Sequence, residues 1–121
     1  MQEILKRWLT RRPQCPGVVA WGLCFSDRST TSQGFTTQIT PEAMEALWIE
    51  LAEALLQTPR HDVKTQAMRW VFDTHVLYAA VRPDGVCMGV MVGRTAEETS
   101  RECIERTLAD FRAVRVAGTT R

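Results

Sequence analysis

Two stretches of the chain carry almost no polar residue. One is residues 17–25, Gly-Val-Val-Ala-Trp-Gly-Leu-Cys-Phe. The other is residues 86–92, Val-Cys-Met-Gly-Val-Met-Val. Each is far shorter than the roughly 20 apolar residues that span a bilayer. Each is too short and too rich in β-branched, aromatic and small residues for a helix to be the better reading. A strand that is apolar on both sides has to be covered on both faces. The pair therefore predicts a central sheet with helices above and below it.

The rest of the chain supplies the cover. Residues 2–12 place Ile4, Leu5, Trp8 and Leu9 on one helical face, with Lys6, Arg7, Arg11 and Arg12 on much of the remainder, and Pro13 and Pro16 end the helix. Residues 26–30 read as a turn, and residues 32–39 as a more polar strand suited to a sheet edge. Thr40-Pro41-Glu42 is a helix start, with Thr as N-cap, Pro at the first helical position and an acid in the first turn. That helix is expected over residues 41–57. Strands follow at 64–72, 75–81 and 86–92, joined by tight turns at Asp73-Thr74 and at Arg82-Pro83-Asp84-Gly85. Thr95-Ala96-Glu97-Glu98 reads as a capping box that opens the last helix, which buries Cys103, Ile104, Thr107, Leu108, Phe111 and Val114. The expected order is α-β-β-α-β-β-β-α, an α/β (α+β) sandwich of five antiparallel strands with helices on both faces. A single domain over residues 1–116 and a frayed tail at 117–121 account for the 121 residues.

Composition removes several functions. The 15 Lys and Arg nearly balance the 14 Asp and Glu, so the basic excess that a nucleic-acid binder needs is missing. Two His and one Tyr leave little for acid–base chemistry. A nucleophilic set drawn from Cys87, His75 and Asp73 has no signature to fix it, and an apolar strand disfavours a thiolate at Cys87. His61 is isolated, and the phosphate loop GxxxxGK[ST] is absent. Cys15, Cys24, Cys87 and Cys103 have neither CxxC nor zinc-ligand spacing, and they read as free, buried thiols suited to a reducing cytoplasm. No catalytic, cofactor or metal set is assigned. The N-terminal segment lacks the apolar core of a secretory signal.

Order, lengths and pattern together resemble the roadblock family, the dynein-light-chain-like and MglB-like proteins. The residues that carry this are the short amphipathic helix before Cys15-Pro16-Gly17-Val-Val-Ala20, the hairpin, the helix from Pro41, the strands ending at Val92, and the helix from Thr95. The first hairpin departs from the family pattern, because Asp27-Arg-Ser-Thr30 lacks the usual Asp-Gly turn. The resemblance implies a profilin-like sandwich. It also implies a homodimer, or a heterodimer with a related roadblock protein, through the second helix and the third strand, and a scaffolding or regulatory role toward small Ras-like GTPases without catalysis.

The residues bear on that dimer. The second helix has a sheet-facing stripe of Met44, Leu47, Trp48, Leu51 and Leu55, and beside it a strip of Ile49, Ala52 and Leu56. A two-fold copy of the helix would cover the strip; the alternative is cover by the first or last helix. Trp48 suits core or interface, as does Trp70, which with Met68 lies on the third strand, where interface is favoured. Arg69 is a rim charge or a solvated strand residue. Glu42, Glu50 and Glu53 form an acidic side that either steers a basic partner or is simply solvated. A rival reading is a PAS-like or GAF-like small-molecule sensor, with a cavity lined by Ala79, Ala80 and Gly89.

Overall fold

A computed structural model describes residues 2–35, 39–57 and 67–115. The elements are α1 (Gln2–Thr10), β1 (Val18–Cys24), β2 (Thr30–Gly34), α2 (Pro41–Gln57), β3 (Ala67–Val71), β4 (His75–Val81), β5 (Cys87–Gly93) and α3 (Glu97–Ala113). The strands form one antiparallel sheet in the order β2-β1-β5-β4-β3. The apolar β1 and β5 are adjacent and internal, and the polar β2 and the weakly alternating β3 are the two edges, as their sequences require.

Alternate residues build two cores. On one face Trp21, Leu23, Val76, Tyr78, Met88, Val90 and Val92 meet Leu5 and Leu9 of α1 and Ile104, Leu108 and Phe111 of α3. On the other, Ala20, Cys24, Leu77, Ala79 and Cys87 meet Met44, Trp48, Leu51, Ala52 and Leu55 of α2. The second contact depends on missing side chains. Gly22 and Gly89 are cross-strand partners, and a Cβ on either would fall inside the indole of Trp48. The indole fills that notch and its Nε1 donates to Ser32 Oγ at 2.8 Å. Gly89 and Ala79 serve this close packing, and the buried Ala80 faces the opposite core.

Local signals set some boundaries and not others. Thr40 Oγ1 accepts from the Ala43 amide at 3.1 Å, so α2 starts on the expected cap. The Arg82–Val86 turn closes with a bond from the Gly85 amide to the Arg82 carbonyl at 2.9 Å, and Gly85 has a φ of 91°, open to glycine. The expected capping box is not formed. Thr95 lies in a 3-10 turn, Arg94–Ala96, and α3 begins at Glu97 with Ala96 at the cap and no side-chain cap bond. β2 is earlier and shorter than expected, pairing Thr30–Gly34 with β1. The expected first residues of the third strand, together with His61 and the tail, lie outside the described residues.

The cysteines require a correction. Cys15 and Cys103 form a disulfide across 88 positions of sequence, tying the segment before β1 to α3. Only Cys24 and Cys87 are free and buried. The inference of a reducing compartment from four free thiols no longer holds.

Candidate functional site

Among the described residues, β3 is a half-exposed sheet edge. Burial along it alternates, with Met68 and Trp70 half-buried on the α2 side and Ala67, Arg69 and Val71 exposed on the α3 side. α2 lies over β2, β1, β5 and part of β4, and α3 lies over β4 and β5. Among the described residues, the edge strand lies at the margin of both helices. The largest exposed apolar side chains among the described residues are Leu56 on α2 (41%), Val71 at the end of β3 (48%) and Phe72 after it (54%). Ile49 is half-buried on the same flank of α2 as Leu56.

The free edge also has a defined hydrogen-bonding pattern. The Phe72 amide donates to the His75 carbonyl at 2.8 Å, which makes 72 and 75 a bonded pair. Bonded pairs alternate along antiparallel strands. With the register Val71↔Val76, Trp70↔Leu77, Arg69↔Tyr78, the backbone groups of Trp70 and Met68 turn toward β4. Those of Ala67, Arg69 and Val71 therefore point outward from the sheet.

The α3 side of this edge carries a charged clamp. Arg69 Nε donates to Glu97 Oε2 at 2.5 Å, and its Nη2 donates to Oε1 at 2.7 Å. The Tyr78 hydroxyl donates to the same carboxylate, and Arg101 Nη2 stands 3.5 Å from it. Glu97 is buried, yet its pKa falls from the usual 4.5 to about 2. The Arg69 bonds are the main cause; they overcome desolvation with help from Tyr78 and the charges of Arg69 and Arg101. Burial first, and then the bond to Glu97, raises the pKa of Tyr78. Beside the clamp an open groove of about 310 Å³ is lined by Ala67, Arg69, Tyr78, Glu105, Leu108 and Arg112 among others. No sequence pattern linked Arg69 to Glu97. The acid reads as a helix-start residue, and the arginine as a rim or solvated charge.

The other expected site residues are distributed as follows. Trp48 is 1% exposed and Ala52 is 6% exposed, because the glycine notch draws this side of α2 down onto the sheet. Both belong to the intramolecular core and not to a surface. Ile49, Leu56, Met68 and Trp70 retain accessible surface. Glu42 and Glu50 are exposed on α2, whereas Glu53 is half-buried and ion-paired with Arg28 of the first hairpin.

The nucleophilic set is not brought together. Cys87 pairs with Val81 at one end of β4 and His75 lies at the other, about 20 Å away by strand rise. Burial pushes the Cys87 thiol up to about 12, with a contribution from Cys24. Among the described residues no group of three or more His, Cys, Asp or Glu could hold a metal ion, and no helix is long and apolar enough to cross a membrane.

Sheet order and flanking helices make an α+β fold similar to that of roadblock proteins, as solved structures show. MglB of Myxococcus xanthus superposes with a TM-score of 0.59 at 13% identity, covering 78% of this chain and 79% of its own. A Roadblock/LC7 domain from Streptomyces avermitilis gives 0.53 at 13% identity, covering 94% and 98%. MglC of Myxococcus xanthus gives 0.53 at 11% identity, covering 93% of each chain. At these identities the likeness is one of fold. No family model and no curated protein matches the sequence.

Proposed function

We propose that this chain is a non-catalytic, dimerising regulatory module that presents a composite surface to a protein partner. The observation that carries this reading is the open β3 edge. Its half-buried Met68 and Trp70 pack against the α2-side core and extend it outward to the sheet edge. Edge strands of this kind are normally blunted or covered. A second copy related by a two-fold axis would cover this one and the flank carrying Ile49 and Leu56. Trp48 and Ala52 support that flank from beneath. A heterodimer with a related module is the variant of the same reading.

The partner we propose is a small Ras-like GTPase, or another protein with a basic docking face, engaged by Glu42 and Glu50 and less by the already paired Glu53. Such a partner would place the chain in the cytoplasm. The sensor reading is the second choice, since Trp48 fills the space between Gly22 and Gly89 where its ligand would sit.

Size-exclusion chromatography with light scattering tests the dimer; a clean monomer at micromolar concentration rejects it. Affinity capture from native extract tests the partner, and nucleotide-dependent retention of a GTPase is the expected result. Glu42→Lys with Glu50→Lys is expected to slow association about tenfold at low salt while the circular dichroism stays unchanged. An unaltered rate counts against the acidic face.

A further inference from the structure

We propose that α1 seats the chain on the surface of an anionic membrane, through the strip Ile4, Arg7, Trp8 and Arg11. This contact is separate from the dimer and from the acidic side of α2. Residues spaced i, i+3, i+4 and i+7 share one helical face. The helical bonding extends to Arg11, whose amide donates to the Arg7 carbonyl at 3.2 Å. Leu5 and Leu9, on the neighbouring face, are buried in the core, so α1 is anchored by one side and displays the other. On the displayed strip Arg7 and Arg11 are exposed, and Ile4 and Trp8 are half-buried.

The two arginines of the strip are uncommitted. Arg28, Arg69, Arg82, Arg101 and Arg106 each meet a carboxylate. Arg12 is engaged by Asp110 and by the Trp8 ring, and Lys6 lies over the Phe25 ring. Among the described residues, the guanidinium groups of Arg7 and Arg11 have no hydrogen bond or ion pair. Cations in the last turn of a helix do complement its dipole. That role does not require an isoleucine and a tryptophan left half-exposed between them. Cations interleaved with aromatic and aliphatic side chains suit the headgroup boundary of a bilayer, where the charges meet anionic lipid and the apolar groups leave water. A nucleic acid would require a longer run of free cations to replace its counterions.

The rest of the molecule orients this contact. α1 and α2 pack on opposite faces of the sheet. Opposite the cations of α1, α2 carries Glu42, Glu45, Glu50 and Glu53 and no Lys or Arg. On α3, beside α1, Glu97, Glu102 and Asp110 are ion-paired, and Glu98 and Glu105 are matched in number by Arg112 and Arg115. An anionic surface therefore attracts the α1 face and repels the α2 face, which leaves one orientation. The acidic side of α2 then points away from the lipid. With two free cations the contact is a weak, salt-sensitive adsorption and not an anchor.

Vesicle binding tests the proposal. At low salt the chain is expected to sediment with phosphatidylcholine vesicles containing about 30% phosphatidylserine, and not with phosphatidylcholine alone. Salt at about 0.5 M should release it. Arg7→Gln with Arg11→Gln is expected to lower the partition coefficient about tenfold. The urea midpoint should stay unchanged, because both side chains are exposed. No binding, equal binding to the neutral vesicles, or a double variant that binds like the parent overturns the proposal. Orientation has a separate readout in bromine-labelled lipid, which quenches tryptophan on contact. Trp21 and Trp48 are sealed in the two cores, so quenching can reach only Trp8, on the α1 face, and Trp70, on the α2 side. Quenching is expected to vanish in Trp8→Phe and to persist in Trp70→Phe. The reverse result overturns the proposal, since the chain would then dock by its other face. Light scattering and affinity capture use no lipid, so a failure here leaves the dimer and partner readings standing.

Discussion

Arg69 and Glu97 show how far a charged pair on a sheet edge can depart from a solvated one. A carboxylate in the first turn of a helix ordinarily faces water and the helix dipole. Here it is turned into the sheet, where Arg69, Tyr78 and Arg101 surround it. Because its pKa is lower in the folded chain than in the unfolded one, ionisation of Glu97 stabilises the fold. That contribution is complete above about 4.5 and is lost as pH falls toward about 2. Glu97→Gln is expected to cost about 2 kcal/mol at neutral pH by urea unfolding. The difference between the two proteins should close across the same acid window; a gap that persists at pH 2 would assign the cost to packing. Arg28 offers the opposite case. It occupies the left-handed region at φ 72°, in a turn where Asp27 accepts bonds from Ser29, and its ion pair with Glu53 is largely solvated. Arg28→Gly is expected to raise stability by about 0.5 kcal/mol, since a strained backbone outweighs an exposed ion pair. The absence of glycine from this turn was visible in the sequence. The Arg69–Glu97 pair was not, because its partners lie 28 positions apart and meet only once β3, β4 and β5 are laid side by side.

At the level of elements, the contact of α2 with the sheet is decided by two residues that have no side chain. Gly22 and Gly89 face each other across β1 and β5 and admit the Trp48 indole. A Cβ at Gly89 would lie 2.6 Å from Trp48 Cε3 and 3.2 Å from Leu51 Cδ1, so the ring or the whole helix must lift. Gly89→Ala is expected to cost about 2–3 kcal/mol and to red-shift tryptophan emission. Gly93→Ala, with nothing within 4 Å of the added carbon, is its control and should fall within about 0.5 kcal/mol of the parent. If both behave alike, the notch does not set the helix position. The apolar stripe of α2 was readable from its period, and its start from Thr40 and Pro41, because both signals are local. The depth of the helix on the sheet depends on a cross-strand pair, and that moved Trp48 and Ala52 from the expected interface into the core. Thr95 failed as a cap for a related reason. The chain leaving β5 is held by a bond from the Arg94 amide to the Thr74 carbonyl at 2.9 Å, and the 3-10 turn that follows takes up the capping residue. At the other end of α3, Arg82 Nη1 donates to the Phe111 carbonyl at 2.6 Å, a C-terminal cap supplied from a distant hairpin.

For the molecule as a whole, the two cysteine pairs separate by geometry. Cys24 and Cys87 are register partners on β1 and β5. The bonds Phe25 to Ser29 and Arg82 to Val86 turn the backbones of residues 24 and 87 toward each other, which makes them a bonded pair. Cβ atoms in such a pair stand about 5.5 Å apart, too far for a disulfide, which wants about 3.8 Å. These two remain thiols. Cys15 and Cys103 are free of that constraint, because Cys15 precedes the strand and approaches α3 from the side, where the Ser100 hydroxyl also donates to the Pro16 carbonyl. Sequence spacing alone could not distinguish the pairs. Closing a loop of 88 positions is expected to contribute about 4–5 kcal/mol by restricting the unfolded chain. Cys15→Ser with Cys103→Ser should therefore shift the urea midpoint strongly downward, and a dithiol reductant should do the same to the parent protein but not to the variant. Dimerisation should survive the double change at concentrations where the chain stays folded. The bridge lies between the segment before β1 and α3, whereas the open edge lies across the sheet at β3. A midpoint indifferent to reductant would show that the bridge adds nothing. Loss of the dimer in a folded variant would mean that the staple and the edge are coupled through α3, whose first residue, Glu97, holds Arg69 on that edge.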